Sequence, residues 1–384
     1  MKKTLIVAAV SASFATAASA QSSVTLYGIV DAGFTYVNNV QNTGPGPDRQ
    51  VSNFDMSSGN LQGSRWGLRG QEDLGGGMKA IFALENGFDI TNGRAGQDGR
   101  QFGRQAYVGL TTNGFGTVTL GRQYDSVVDY LGPLTANGSW GGTFFSHPYD
   151  NDNTDNSFRI NNSIKYQSAN YGGFSFGGLY GFSNNSEAFA TNRAYSAGMQ
   201  YANGPLKVAA AYLQTQGANG NAGGAITEAN AANLGSGNGN IGAAGTISTK
   251  RQRTYGVGAS YSAGALTFGG VWTQSRFDDV LASDADANFN NYELNARYNL
   301  TPALALGGEY TYTSANLHGF GQSEKVNYHQ VGLQADYLLS KRTDIYAEGV
   351  YQKATDKGRA NIYGVNSSAS GNQVVVSTGI RHRF

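Results

Sequence analysis

The chain has 384 residues, 40% apolar and only 14% charged, with 55 Gly, 23 Tyr, 19 Phe and no Cys. Gly and Tyr are poor helix formers while Tyr and Phe suit strands, so a helical globular fold is disfavoured. A balance of 27 Lys+Arg against 26 Asp+Glu lacks the basic footprint of a nucleic-acid binder, and the missing Cys removes disulfides and thiolate metal sites. Beyond residue 20, no run reaches the ~18 apolar residues of a spanning helix.

The first twenty residues have the form of an export signal: Lys2 and Lys3, an apolar run from Leu5, and the cleavage pattern Ala18-Ser19-Ala20. Residues 1–20 are therefore expected to be removed, leaving 21–384 as one domain in a compartment beyond the inner membrane. From Val24 onward apolar and polar residues alternate with period two. Phe174, Phe176, Tyr180 and Phe182 share one parity, as do Tyr255, Val257, Ala259 and Tyr261, and Leu266, Phe268 and Trp272. Most clearly, Tyr292, Leu294, Ala296, Tyr298 and Leu300 oppose Asn291, Glu293, Asn295, Arg297 and Asn299. A strand puts two such sets on opposite faces, whereas a helix mixes them.

The predicted connections alternate in length. Short turns fall at 74–77, 113–115, 170–173, 203–205, 263–264, 301–303 and 339–342, most with the Gly, Asn or Pro of tight hairpins. Long loops fall between them at 38–62, 89–101, 125–156, 185–192, 217–251, 278–289, 315–326 and 354–372. Fifteen connections require sixteen strands, and an even number with short turns at one end and long loops at the other marks a transmembrane barrel. Aromatic residues near the strand ends fit an interfacial girdle, and sixteen strands enclose water rather than a packed core. The expected fold is all-β, a 16-stranded antiparallel transmembrane barrel closed by pairing the last strand, ending at Phe384, with the first.

Several short segments resemble the general porins of Gram-negative outer membranes, the betaproteobacterial type in particular. They are Val24-Thr25-Leu26-Tyr27-Gly28, Ser64-Arg65-Trp66-Gly67-Leu68-Arg69-Gly70, Arg104-Gln105-Ala106-Tyr107-Val108-Gly109-Leu110, Gly121-Arg122-Gln123-Tyr124 and Arg381-His382-Arg383-Phe384. Their order and spacing span the chain after residue 20. The resemblance implies passive diffusion of ions and small hydrophilic solutes through a homotrimer, each barrel narrowed by a third long loop folded inside. That loop is residues 125–156, long enough to mark a functional segment.

By position in the resemblance, Arg65, Arg104 and Arg159 form the wall side of the constriction. Strand parity places Arg65 inside, opposite Trp66 and Leu68, and Arg159 inside, opposite Ile160. Arg104 shares the parity of the outward Ala106, Val108 and Leu110, so an inward position needs a bulge near Gly103. Where enteric members carry Pro-Glu-Phe-Gly-Gly the chain has Gly138-Ser139-Trp140-Gly141-Gly142, and Thr135 stands where an Asp commonly precedes it. Ile29 stands at a wall position that can be Lys. Loop acids remain at Asp125, Asp129, Asp150, Asp152 and Asp155, toward the loop's ends. Arginines facing Thr135, Ser139 and Asp129 are expected to tilt the pore toward anions, because an ion shedding water responds to fixed charge nearby.

Arg122 has the outward parity of Val118 and Leu120. A lipid-facing Arg costs about 2–4 kcal/mol at midplane, so it belongs at the extracellular rim or at a subunit boundary, where Asp89 or Asp98 of a neighbouring copy could pair with it. Asp284, Asp286 and Asn288 open like a calcium loop, but Phe289 and Asn295 replace its Gly and Glu, so no metal site is expected. The four His lack a nucleophile motif, no enzyme or cofactor is implied, and residues 217–249 read as a surface loop. A substrate-specific channel would want an aromatic track inside, and a non-conducting adhesin a plug; neither is evident.

Overall fold

The computed structural model describes residues 23–41, 50–217, 223–226, 249–280, 285–319, 322–355 and 358–384. The export signal at 1–20, most of 217–249 and Asp284 lie outside the described residues. The strands are β1 (Ser23–Gln41), β2 (Gln50–Ser58), β3 (Arg65–Gly75), β4 (Met78–Gly87), β5 (Gln105–Thr112) and β6 (Gly116–Gln123). They continue as β7 (Ile160–Gln167), β8 (Phe174–Gly181), β9 (Ala194–Asn203), β10 (Leu206–Gln216), β11 (Thr249–Ala263) and β12 (Leu266–Val280). The last are β13 (Ala285–Asn299), β14 (Leu304–Gly319), β15 (Gln322–Leu338), β16 (Thr343–Ala354) and β17 (Asn372–Arg383).

All neighbours in this sheet pair antiparallel, and β1 pairs with β17 from Ile29 opposite Arg383 to Val37 opposite Val375, which closes the barrel. Gly28 and Phe384 exchange both backbone hydrogen bonds at 3.1 Å, so no edge remains at the seam. β2 and β3 lie end to end along β1: Ser58 is opposite Ala32 and Arg65 opposite Ile29. The seventeen segments therefore build the sixteen staves expected.

Alternation fixes what each face meets. Thr273, Asn291, Gln330 and Gln352 are wholly buried on the inner face, whereas Leu294 (67%), Leu333 (65%) and Leu26 (58%) are exposed on the outer one. That inversion of a soluble sandwich suits a barrel in lipid. The strand boundaries correct three expected loops. Residues 50–58, expected within a loop, form β2, because Phe54 and Met56 continue the outer face opposite Tyr36 and Phe34 while Asn53 and Asp55 point inside. β12 and β13 likewise run into the expected 278–289 loop, and β14 and β15 into 315–326. These strands of 15 to 17 residues exceed the ~10 needed to cross a bilayer, so polar residues there extend the ladder above the membrane.

Residues 124–159, between β6 and β7, fold into the lumen as short helical turns from Val127–Leu131 to Pro148–Asp150. Their apolar side chains seat on inward glycines of the far wall. A methyl added at Gly198 would stand 2.3 Å from the Tyr130 ring, at Gly307 2.3 Å from Trp140, and at Gly332 2.3 Å from Phe145. Leu131 and Leu134 press on Gly256 and Gly258 in the same way. Polar pins add to this: the wall carboxylate Glu293 accepts from Ala136 N at 2.7 Å, Asn295 Nδ2 donates to Leu134 O at 2.9 Å, and Gln330 Nε2 donates to Ser146 O at 3.2 Å.

Candidate functional site

Folding the third loop largely against β8–β15 leaves the lumen open beside β1 to β4 and β17, with β13 and β15 contributing toward the short turns, as a cavity of about 1100 Å³. Its charged wall groups are Arg65, Arg104, Arg159, Arg297, Arg381 and Arg383 against Asp55, Asp89, Asp155 and Asp336. Two of the arginines gather round Glu85 of β4, and a third, Arg159, stands beside them. Arg104 Nε donates to Glu85 Oε1 at 2.7 Å, and Arg65 Nε lies 3.9 Å from Oε2. Tyr27 and Tyr124 donate to the same carboxylate at 3.0 and 3.2 Å, and the Arg159 guanidinium lies 5.7 Å from the Tyr124 ring centre. Glu85 thus faces two cations, Asp155 lies near Arg159, and three arginines against two acids leave the local field positive.

The route by which Arg104 enters is the irregularity that parity demanded. Glu85 is registered opposite Gln105, yet its carbonyl accepts from Arg104 N at 3.1 Å. Two residues oppose one, which is a bulge, and it turns Arg104 inward ahead of β5. Arg159, just before β7, also reaches the cavity. Ile160 does not point outward as expected: it is fully buried with Val127, Leu131 and Leu179 in the cluster that seats the loop, because the β6–β7 register shifts between Gly121 and Gln123.

The loop residues divide. Ser139 is exposed on the cavity wall. Thr135 is fully buried and donates its hydroxyl to Gly132 O at 2.7 Å inside the loop. Asp129 pairs with Lys165 of β7, whose ammonium also donates to Tyr124 O at 3.0 Å. Asp125 accepts from Val127 N and Asn153 Nδ2, each at 2.7 Å, and so ties the loop's two ends together. Asp155 is the loop acid on the cavity wall. Burial pushes its carboxyl up to about 6, against the pull of nearby Arg159 and Arg104. His147 and Asp152 hold the loop to the wall: the ring nitrogens lie 2.6 Å from Asp152 and 3.1 Å from Glu293. The imidazole is held above its ordinary pKa; burial opposes the charge, and the two carboxylates outweigh it.

Arg122 stands on the outer parity of β6, donating to Gly103 O at 2.8 Å and to the Asn161 side chain. Asp89 accepts from Thr91 N at 2.9 Å and Asn92 Nδ2 at 2.6 Å within its own turn, and Asp98 pairs with Arg100 at 3.2 Å. Within one chain the two acids and Arg122 are thus not brought together by any of these bonds. Sequence reading missed Glu85 and Lys165. Glu85 follows Ala80-Ile81-Phe82-Ala83-Leu84, apolar on both faces, so parity gave no signal; Lys165, at inward parity beside Tyr166, could have been found.

An inside-out sheet closed at Phe384, with a loop filling one side of an arginine-lined lumen, is the geometry of a diffusion channel. Residues 5–357 match the Gram-negative porin family. The chain belongs to that family. It is 36% identical to an outer membrane porin protein of Bordetella pertussis and 31% identical to outer membrane porin protein 32 of Delftia acidovorans, each over the whole of both chains. The solved anion-selective porin from Comamonas acidovorans superposes with a TM-score of 0.71 at 28% identity, covering 95% of this chain and all of that one. This porin is a general diffusion channel of the outer membrane.

Proposed function

We propose that the porin passes small hydrophilic solutes and ions with a preference for anions, and that it works as a homotrimer. The carrying observation is the grouping of Arg65, Arg104 and Arg159 on the cavity wall, where Glu85 meets the first two and Asp155 the third. An anion losing part of its hydration there meets more guanidinium groups than carboxylates, whereas a cation meets them as a barrier. On the loop side Ser139 offers only a hydroxyl and Asp155 a single acid. The similar structure described as anion-selective supports the same preference.

The outer surface supports self-association. Tyr166, Tyr201, Tyr261, Tyr298 and Tyr337 on β7 to β15 can sit at a lipid interface, but β1, β3, β5 and β6 present Val24, Leu26, Leu68, Val108, Leu110, Val118 and Leu120 instead. Toward the short turns this flank is aliphatic where β7 to β15 carry tyrosines, with Tyr36 of β1 at its loop end, and an aliphatic flank suits a protein neighbour better than lipid headgroups. In this reading residues 125–156 form the constriction, and Arg122, Asp89 and Asp98 lie near the subunit boundary. The test is the reversal potential of reconstituted protein in a potassium chloride gradient. Conductance in triplets with an anion-side potential is expected; a cation-side potential would refute the selectivity, and single unitary steps the trimer.

A further inference from the structure

The second stave is broken. Between Ser58, opposite Ala32, and Arg65, opposite Ile29, the segment 59–64 stands against only Val30 and Asp31 of β1. A bulge usually sets two residues against one; this excess cannot stay in the plane of the sheet. Gly59 turns the chain out at φ 75°, a conformation other residues rarely adopt. The segment leaves on the lumen side. Asn60 Nδ2 donates to Thr35 Oγ1 at 2.9 Å and Ser377 Oγ at 2.8 Å, both on the inner wall. Asn60 O accepts from Thr143 N of the third loop at 2.9 Å, and Leu61 and Asn60 crowd Gly142.

Asp31 serves this excursion with both backbone groups and one carboxylate oxygen. Its backbone groups, which lack a ladder partner on that side, are met by Ser64 Oγ at 3.0 Å and Gly59 N at 2.9 Å. Its carboxylate Oδ2 accepts from Leu61 N at 3.0 Å and Gln62 N at 2.7 Å, and Oδ1 accepts from Tyr346 OH at 2.7 Å. The segment in turn touches the arginines on both sides. Gly63 O accepts from Arg65 at 3.1 Å, a methyl on Gly63 would lie 3.4 Å from Arg104, and Gln62 Oε1 accepts from Arg381 at 3.3 Å. Gln62 and Gly63 also line the open cavity.

We propose that segment 59–64 is a second constriction element, carried by the barrel wall itself, and that Asp31 is the positioning residue that holds it in the lumen. It narrows the channel beside the third loop and fixes where the Arg65 guanidinium points. This rests on the diffusion-channel reading. Without the Asp31 carboxylate, the amides of Leu61 and Gln62 turn to lumen water and the segment retreats toward the wall.

Because the chain has no Cys, Gln62→Cys supplies a unique thiol. The unmodified wild type in a planar bilayer first shows whether a channel exists at all, which separates failure of that reading from failure of this one. Modifying the Cys variant with a sulfonate-bearing or a trimethylammonium-bearing methanethiosulfonate is expected to lower single-channel conductance. The two reagents should shift the reversal potential in opposite directions, the sulfonate toward cations. Complete modification by mass spectrometry with neither change overturns the segment's role. Asp31→Ala is expected to raise conductance and weaken the block in the double variant. Asp31→Asn, which keeps one acceptor oxygen, should stay nearer wild type. An assembled Asp31→Ala channel with wild-type conductance and full block overturns the positioning role. If Asp31→Ala does not assemble, Asp31→Ser, whose hydroxyl is too short to reach the Leu61 and Gln62 amides, with wild-type conductance and full block does so in its place.

Discussion

Replacing His147 tests how the third loop is held. The ring lies with no exposed surface between Asp152 and Glu293, at 2.6 and 3.1 Å, and a carboxylate at each nitrogen requires both to carry protons. Removing one member of a buried ion pair costs about 3–5 kcal/mol, because the partner stays buried and charged. Here both carboxylates retain other donors: Asp152 has the Thr273 and Thr154 hydroxyls, and Glu293 has Ala136 N at 2.7 Å and Asn295 Nδ2 at 2.6 Å. The expected loss for His147→Gln is therefore at the low end, about 3 kcal/mol, or roughly 100-fold in the equilibrium holding the loop. The pH dependence adds a sign. The folded pKa of His147 is raised, so its stabilisation is full below about pH 6.5 and is lost as pH rises through the raised value. Across that window the wild type should lose about 1.4 kcal/mol per pH unit from this group, and the variant should lack that slope. Urea unfolding of detergent-solubilised protein at pH 6.5 and above measures both. An unchanged midpoint together with parallel pH profiles would refute the reasoning.

Gly307→Ala places a methyl 2.3 Å from the Trp140 ring; overpacking of this kind costs about 1–3 kcal/mol, so the thermal midpoint should fall and the conductance change. Gly308→Ala, outward with its nearest neighbour at 3.6 Å, should alter neither, and equal behaviour of the two would sink the idea that glycines seat the loop. Asp155, pushed up to about 6, is ionised at pH 7 and neutral at pH 5, so anion preference should grow as pH falls with a midpoint near that value. Asp155→Asn should show the stronger preference at both pH values; a reversal potential flat with pH in the wild type refutes this. Arg122→Ala should lower the melting temperature of the detergent-solubilised assembly, and no change would remove Arg122 from the subunit boundary.

Sequence reading recovered the fold because a stave facing lipid and water must alternate, and residues 291–300 do so without exception. It failed where both faces meet similar surroundings. Residues 50–58 stand high on the barrel, where polar side chains suit either face, so β2 looked like loop. At the site, Arg65 was legible because Trp66 and Leu68 fix the opposite parity. Arg104 was legible only as a contradiction, which the bulge at Glu85 resolves. Thr135 was placed at the constriction by position alone, and its hydroxyl instead closes a turn onto Gly132. No periodic signal marks the excursion at 59–64, since its cause is the carboxylate of Asp31 on another strand.

The inner wall does two jobs, and separating them explains why a nearly neutral chain can hold a positive passage. From β8 to β15 the inward positions include glycines that receive Tyr130, Leu131, Leu134, Trp140 and Phe145, apolar residues such as Leu179, Leu213 and Val271 that pack with the loop, and polar groups that pin it. Asp336 of β15 lines the cavity and pairs there with Arg297 at 2.9 Å, but the two acids under the loop are covered and answered locally: Glu293 by His147, and Glu309 by Thr311 Oγ1 at 2.7 Å and Gln330 at 3.2 Å. Permeating ions do not touch these two. On the opposite side the loop touches the wall less, and there Arg65, Arg104 and Arg159 border the open cavity and outnumber Glu85 and Asp155. Local field at contact distance outweighs charge shielded behind a packed loop. The proposed selectivity therefore follows from which wall the loop covers, and a loop seated on β3–β7 would expose the acids and reverse it.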